Sequence, residues 1–278
     1  MADSNTLTLT VLGSAGAYRA HEGSRASGYL VQHGVTNIVL DLGHGTYAPL
    51  AANVGMSALP QISVVGISHL HPDHWVDLAA LRHALVHGNK MGADARSVAV
   101  ISPSGLAPRL ATLLDDRTPE EQAAGEQNPL QPFAFSTWRS DAALPPLGGG
   151  RVISVGDLSL QSARVRHTGE SFAMRVALRD QPGLTYSGDV SHWEDLATIV
   201  RPGDTLLCEA AGGAAQWREG DTHVTAYGAG KAAASAGAAK LLLTHFGAEV
   251  DPADAVRAAA TEFSGEIVAV REGDRFEI

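Results

Sequence analysis

The chain has 278 residues, 45% hydrophobic, 18% charged and 5% aromatic, a globular composition that excludes disordered and fibrous classes. Twenty Lys and Arg against thirty Asp and Glu leave a net charge of −10, which disfavours long nucleic acid as a partner. The lone cysteine, Cys208, excludes an internal disulfide and fits a reducing cytoplasm, and no apolar run reaches the roughly 20 residues that cross a bilayer.

In chain order, Met1 to Thr10 lacks a basic start and an apolar core, so neither a signal peptide nor a membrane anchor is expected. Leu7 to Leu12 alternates apolar and polar residues, Gly13, Gly16 and Gly23 punctuate a turn, and Tyr29 to Val31 and Asn37 to Leu40 read as further short strands. Ile62 to Ile67 is a mostly apolar strand running into Ser68-His69-Leu70-His71-Pro72-Asp73-His74, ahead of a helical pattern from Trp75 to Val86. Val98 to Ile101 is expected as a strand and Leu106 to Leu114 as a helix. Residues from about 115 to 150 are polar and rich in Pro and Gly, the composition of a lid or surface excursion.

Strand patterns resume at Arg151 to Val155, Leu158 to Val165, Phe172 to Leu178, Leu184 to Ser187 and Thr205 to Glu209, with a helix at Trp193 to Val200. Thr225 is a suitable N-cap for an Ala-rich helix ending at Ala236, with Gly237 just beyond. A strand at Lys240 to Thr244 and a helix from Pro252 to Phe263 follow, and Ile267 to Val270 closes the sheet. Each half is a sheet with flanking helices. The expected architecture is therefore a four-layer αββα sandwich of the α/β class, one domain over residues 1–278.

Twelve histidines are present, and imidazole is the commonest metal ligand. His69, His71, Asp73 and His74 form H-x-H-x-D-H on a strand-to-helix loop, a pattern that arises by chance about once in a thousand chains of this composition. Alternate residues of an extended segment point the same way and the next pair turns toward the helix start, so two clusters of ligands can result. The alternative is a run of exposed loop histidines. Two cations held by four residues would be under-ligated, because each takes four to six donors including water. Further donors stand just past strand ends: His167, Asp189 within Ser-Gly-Asp, and His245. A carboxylate at Asp189 suits a bridge between two ions; taken singly, each of the three reads equally as a turn or core residue.

These residues resemble the metallo-β-lactamase-fold hydrolases, and the resemblance covers nearly the whole chain. It implies that His69, His71 and His167 hold one divalent ion, that Asp73, His74 and His245 hold the other, and that Asp189 touches both. Within that superfamily the chain is similar to the phosphodiesterase branch that contains ribonuclease Z, through Leu9-x-Val11-Leu12-Gly13, Asp41-x-Gly43, Cys208-Glu209-Ala210 and Leu242-Leu243-Thr244-His245-Phe246. In that branch a histidine matching His223 faces the scissile phosphate and a glutamate matching Glu209 supports it. Asp41 is expected to orient a ligand imidazole, or else to be a strand-end turn carboxylate.

The implied chemistry is attack by a hydroxide bridging the two cations, which lower the pKa of water and screen the phosphate. Asp73 would orient the water and take its proton, while His223 would donate to the leaving oxygen. The basic arm with which ribonuclease Z grips precursor tRNA is missing between His167 and Asp189, where only Arg175 and Arg179 are basic. In this shortened form the chain resembles short bacterial atypical cyclic-nucleotide phosphodiesterases, also through Ala26-Ser27-Gly28-Tyr29-Leu30 and Glu170-Ser171-Phe172. A small 3′,5′-cyclic nucleotide is then the expected substrate, with a tRNA 3′-processing nuclease and a lactone, sulfate-ester or other ester hydrolase as the alternatives. The ligand set suits Zn²⁺ first and Mn²⁺ or Fe²⁺ as well, and the resemblance implies a homodimer. Phe133, Phe135 and Trp138 are candidates either to stack on a purine or to pack their loop onto the domain. Arg82, His83, His87, Lys90 and Arg96 read as a solvated helix face.

Overall fold

A computed structural model describes residues 6–17, 19–88, 97–118, 120–121, 130–140, 143–179 and 181–278. Strands β1 (Thr8–Gly13), β2 (Gly28–His33) and β3 (Thr36–Leu42) form an antiparallel meander, to which β4 (Val64–Gly66), β5 (Val98–Ser102) and β6 (Phe133–Thr137) add in parallel. The second sheet begins with antiparallel β7 (Val152–Val155), β8 (Leu158–Val165), β9 (Ser171–Leu178) and β10 (Leu184–Tyr186). It continues with parallel β11 (Thr205–Glu209), β12 (Lys240–Thr244) and β13 (Glu266–Ala269). The last strand, β14 (Arg275–Glu277), returns to the first sheet and pairs antiparallel with β1, giving seven strands in each sheet.

Side-chain alternation explains the layering. In β3, Ile38 and Leu40 face the other sheet and pack with Leu160, Met174, Val176 and Leu184, whereas Val39 faces outward. The helices α1 (Tyr47–Val54), α2 (Leu78–His83) and α3 (Leu106–Leu114) cover that outer face through Leu50, Leu78, Leu81, Leu106 and Leu110. On the second sheet Leu207 and Leu242 point inward, while Leu206, Cys208, Leu241 and Leu243 meet α4 (Ala226–Ala236) and α5 (Pro252–Ala259). Strands covered on both faces must be apolar on both, which is why they read as continuous rather than alternating runs. Thr225 caps α4 by accepting from the Gly228 N–H, and Gly237 ends it at φ 68°. The αββα architecture expected from the sequence is the one formed.

Several local expectations change. The pattern from Trp75 to Val86 is not one helix: Pro72–His74 is a 3₁₀ turn, α2 starts at Leu78, and Ala84–Gly88 widens to a π turn. The segment 193–198 is likewise 3₁₀, and α5 stops at Ala259 rather than Phe263. The strand expected at Ile267 to Val270 does close the second sheet, as edge strand β13, but three further residues form β14 at the edge of the first. The Pro- and Gly-rich stretch of about 115–150 is more than a surface excursion, since it supplies edge strand β6 and the fully buried Trp138, whose indole N–H donates to the Ile67 carbonyl at 2.7 Å. Phe133 is buried and Phe135 packs against the same core, so these three aromatics do not offer a stacking face. Of the basic stretch, Lys90 and Arg96 lie outside the described residues; Arg82 ties its helix to the Gln131 carbonyl at 3.1 Å.

Candidate metal centre

The site lies where the ends of the two sheets meet, and its foundation is Asp41. This residue is fully buried near the end of β3 and takes φ 56°, a left-handed conformation rare for a residue with a side chain. The turn brings four donors to its carboxylate. Oδ1 accepts the Ser68 N–H at 2.7 Å, and Oδ2 accepts from Ser68 Oγ at 2.7 Å, Tyr186 Oη at 2.8 Å and His74 Nδ1 at 2.7 Å. Gly43 allows the same strand end to lie against the histidine loop, because a Cβ there would fall 1.8 Å from the Asp73 carbonyl oxygen.

The hydrogen bonds at the back of each ring fix which nitrogen faces the centre. His74 gives Nδ1–H to Asp41, and His167 gives Nδ1–H to the Thr222 carbonyl at 2.7 Å. Ser68 Oγ, its proton committed to Asp41, can accept from His69 Nδ1 at 3.1 Å. The Nε2 lone pairs of His69, His74 and His167 are therefore turned inward. His69 Nε2 lies 2.9 Å, and His167 Nε2 3.3 Å, from Nδ1 of His71. Asp189 joins both groups: its Oδ2 is 3.6 Å from His69 Nε2, 3.7 Å from His167 Nε2 and 3.3 Å from His245 Nε2, and its Oδ1 is 3.4 Å from His74 Nε2. His74 Nε2 is in turn 3.5 Å from Asp73 Oδ2. The donor atoms of His69, His71, His167 and Asp189 form one cluster and those of Asp73, His74 and His245 a second, all within 4.8 Å of one another in each.

This arrangement fits divalent cations. His69 Nε2 and His167 Nε2 lie within 3.3 Å of His71 Nδ1, close enough for one cation to take a lone pair from each ring. Burial, followed by the neighbouring rings, holds the His69 imidazole well below the ordinary histidine value, which favours the neutral form a metal ligand needs. Burial also lowers His71. Among the described residues, His74 Nε2 and Asp189 Oδ1 are buried, make no well-formed hydrogen bond and face each other at 3.4 Å, an arrangement that a cation held by both would satisfy. Burial raises the Asp189 carboxyl, but His245, His74 and His69 outweigh it and hold it well below the usual carboxylate range. His74 shows the converse: burial lowers it, yet Asp189 and Asp41 keep it well above the ordinary value.

His223 borders this ligand set: Asp189, His223 and His245 also offer donor atoms within 4.8 Å of one another, and His223 Nδ1 lies 3.8 Å from Asp189 Oδ2. Its Nδ1 lies 3.0 Å from both oxygens of the fully buried Glu209, so that N–H is committed and the ring faces the cleft with its other edge. Glu209 is itself fixed by the N–H groups of Val190 at 2.8 Å and Ala211 at 3.2 Å. Burial lowers the His223 pKa, but Glu209 outweighs it and raises the value to about 9. The adjoining cleft has a volume of about 600 Å³ and is bordered by His71, Asp73, Asp189, His223 and His245.

Every candidate ligand named from the sequence, with Asp41, Glu209 and His223, is thus brought to one place. Tyr186, Ser68, Ser27 and His44 were not anticipated. Tyr186 donates to Asp41, Ser27 Oγ is 2.8 Å from His245 Nδ1, and His44 borders the cleft. Ser68, adjoining the histidine motif, and Ser27, within Ala26-Ser27-Gly28, stood in motifs the sequence offered, but neither contact could be read from them. His245, like Asp41, takes a positive φ, at 52°.

Two helix-flanked mixed sheets carrying a His/Asp cluster at their strand ends define a metallohydrolase. The β-lactamase superfamily domain matches residues 36–246, a span that contains every candidate ligand, and the chain belongs to that family. It is a hydrolase, and among its relatives the uncharacterized protein ML1173 of Mycobacterium leprae is 31% identical, covering 98% of this chain and 89% of that protein. The probable metallo-hydrolase YhfI of Bacillus subtilis is 25% identical over 96% of this chain and 98% of its own. The YhfI crystal structure superposes with a TM-score of 0.80 at 23% identity, covering 99% and 100% of the two chains. Human tRNase Z, short form, has the same fold, with a TM-score of 0.69 at 19% identity and 97% and 98% coverage.

Proposed function

We propose that the chain is a binuclear metal-dependent phosphodiesterase acting on a small cyclic phosphodiester, with a 3′,5′-cyclic nucleotide as substrate. The observation that carries this reading is His223, a histidine bordering the cleft whose Nδ1–H is engaged by buried Glu209 rather than left as a free donor atom for a metal. Cleaving a phosphodiester builds negative charge on phosphoryl oxygens and on an alkoxide leaving group, and a positioned N–H donor at that edge lowers the barrier to both. In this reading His69, His71 and His167 hold one ion, Asp73, His74 and His245 the other, and Asp189 both. Zn²⁺ is the first choice, with Mn²⁺ or Fe²⁺ also suited.

Bound divalent ions would lower the pKa of water and neutralise the diester. The chain's own residues do the rest. Asp73 borders the cleft with a carboxylate able to orient water and accept its proton. Glu209 fixes the His223 ring, so that Nε2–H is available to the leaving oxygen. Small size of the substrate is supported by the net charge of −10. It is also supported by the stretch between His167 and Asp189, which β9 and β10 occupy and in which Arg175 is tied to Asp204 through Nε at 2.7 Å. No helix among the described residues is long and apolar enough to cross a membrane.

The test is conversion of 3′,5′-cyclic AMP to AMP by protein reloaded with Zn²⁺ or Mn²⁺, beside a H69A/D73A control and a H223A variant. We expect product from the wild type, none from the control, and a kcat reduced about 100-fold or more in H223A. Absence of product with metal demonstrably bound would overturn the cyclic-nucleotide reading. Undiminished turnover of a carboxylic ester by H223A would favour an ester hydrolase.

A further inference from the structure

A second cavity lies beside the cleft and differs from it in chemistry. It has a volume of about 230 Å³, and its walls include four rings, His192, Trp193, Trp217 and Tyr227, together with Glu194 and Lys231. The cleft, in contrast, has no Phe, Tyr or Trp among its described walls. The two are linked by a third hollow, which shares Ala211 and His223 with the cleft and Gln216 and Thr225 with the aromatic cavity. The loop from 211 to 225 thus borders all three spaces.

Trp217 is the feature that packing does not explain. It is 40% exposed on that loop and belongs to none of the core clusters, and among the described rings it meets His192, edge to face at 5.2 Å. Trp193 follows Asp189 closely in sequence and opens a 3₁₀ turn, and Tyr227 lies in the first turn of α4, just after His223. Both are anchored against the second sheet's outer core. Two anchored rings and one exposed ring thus line the same cavity, and aromatic side chains bind planar heterocycles by stacking, largely without regard to sequence. Whole drug-sized ligands occupy roughly 300–1,000 Å³, so a cavity of this size takes a fragment of a ligand. Glu194 can accept from an exocyclic amine, and Lys231 can donate to a ring nitrogen or carbonyl oxygen.

We infer that this cavity is a base subsite: it receives a planar, purine-sized nitrogen heterocycle from a substrate whose phosphate lies at the His/Asp cluster. The inference rests on the phosphodiester reading above, and it places base recognition on the 211–225 loop rather than on the buried aromatics of 133–138.

The test uses the metal-reloaded full chain with two readouts. Adenosine, which has no phosphate, is titrated against the wild type, W217A and W217F by calorimetry. In parallel, kcat/KM is measured for 3′,5′-cyclic AMP and for the cyclic phosphate of 1,3-propanediol, which keeps the six-membered diester but lacks a base. We expect adenosine to bind, W217A to weaken it about tenfold, and W217F, which keeps a stacking ring, to restore most of the loss. The preference for the nucleotide over the base-free diester should fall about tenfold in W217A. Trp217 is solvent-exposed, so W217A should fold, and circular dichroism verifies that it does. No adenosine binding, binding indifferent to W217A, or equal loss on both diesters would overturn the subsite even if both diesters are cleaved. Adenosine binding lost in W217A with neither diester cleaved would support the subsite and overturn the cyclic-phosphodiester reading alone.

Discussion

The two walls of the metal centre are built on different plans. The wall from the first sheet is one continuous segment, Ser68 to His74, held by a single buried carboxylate that gathers four hydrogen bonds. The opposite wall has a buried carboxylate too, Glu209, which accepts from Val190, Ala211 and His223, but it reaches only His223 among the site histidines. Asp189 follows β10, Glu209 ends β11, His245 follows β12, His167 follows β8, and His223 precedes α4, with His167 tied to the Thr222 carbonyl and His245 to Ser27. Where the walls touch, the backbone is tight: a Cβ on Gly188, at φ 57°, would lie 2.9 Å from the Ser68 Cβ. A hub concentrates the tolerance of a site in one residue, whereas separate anchors distribute it. Damage to the first wall should therefore reach all its ligands together, and damage to the second should stay local.

The largest expected effect is metal removal. Chelation should abolish hydrolysis and lower the melting temperature, since an ion at a hundredfold excess over its Kd stabilises the fold by about 2.7 kcal/mol. Hydrogen exchange on the chelated protein should show residues 68–74 still protected and the ends of β8 and β12 loosened; equal loosening of both walls would remove the distinction between them. Next, D41N and E209Q should fail in different ways. D41N should weaken metal binding about 10–100-fold, measured by competition with a chromophoric chelator. E209Q should keep its metal and lose turnover through the untethered His223 ring. If both variants changed metal affinity alike, the second wall would also have a hub. The smallest effect is expected of Y186F, which removes one of the four donors to Asp41. It should lower stability by about 1.5 kcal/mol in a denaturant melt, with a smaller loss of metal affinity than D41N.

The ligands themselves were legible because each one stands immediately after an apolar run, and a strand that ends at a sheet edge places the next residue at the edge as well. His69-x-His71-x-Asp73-His74 needed no partner to be read, and neither did the caps Thr225 and Gly237, because backbone conformation at a helix end depends on neighbours in sequence. The depth of the fold was less legible. Trp138 lies in a stretch whose Pro and Gly content reads as surface, yet strand β5 offers it an edge and the Ile67 carbonyl accepts its N–H. The three residues of β14 are too few for a periodicity, and only β1 across the sheet makes them a strand.

What the sequence determined by itself was most of the strands, their two apolar faces and the donor set of the centre, since all of these follow from local patterns of residue type, whereas α1, β6 and β14 did not. Tertiary structure alone decided that Asp41 collects Ser68, Tyr186 and His74, that Glu209 holds His223, and that Trp217, rather than the 133–138 aromatics, faces solvent beside the cleft. Each of those contacts joins residues distant in the chain, and their energies depend on burial and distance. Burial and distance exist only once both sheets have packed.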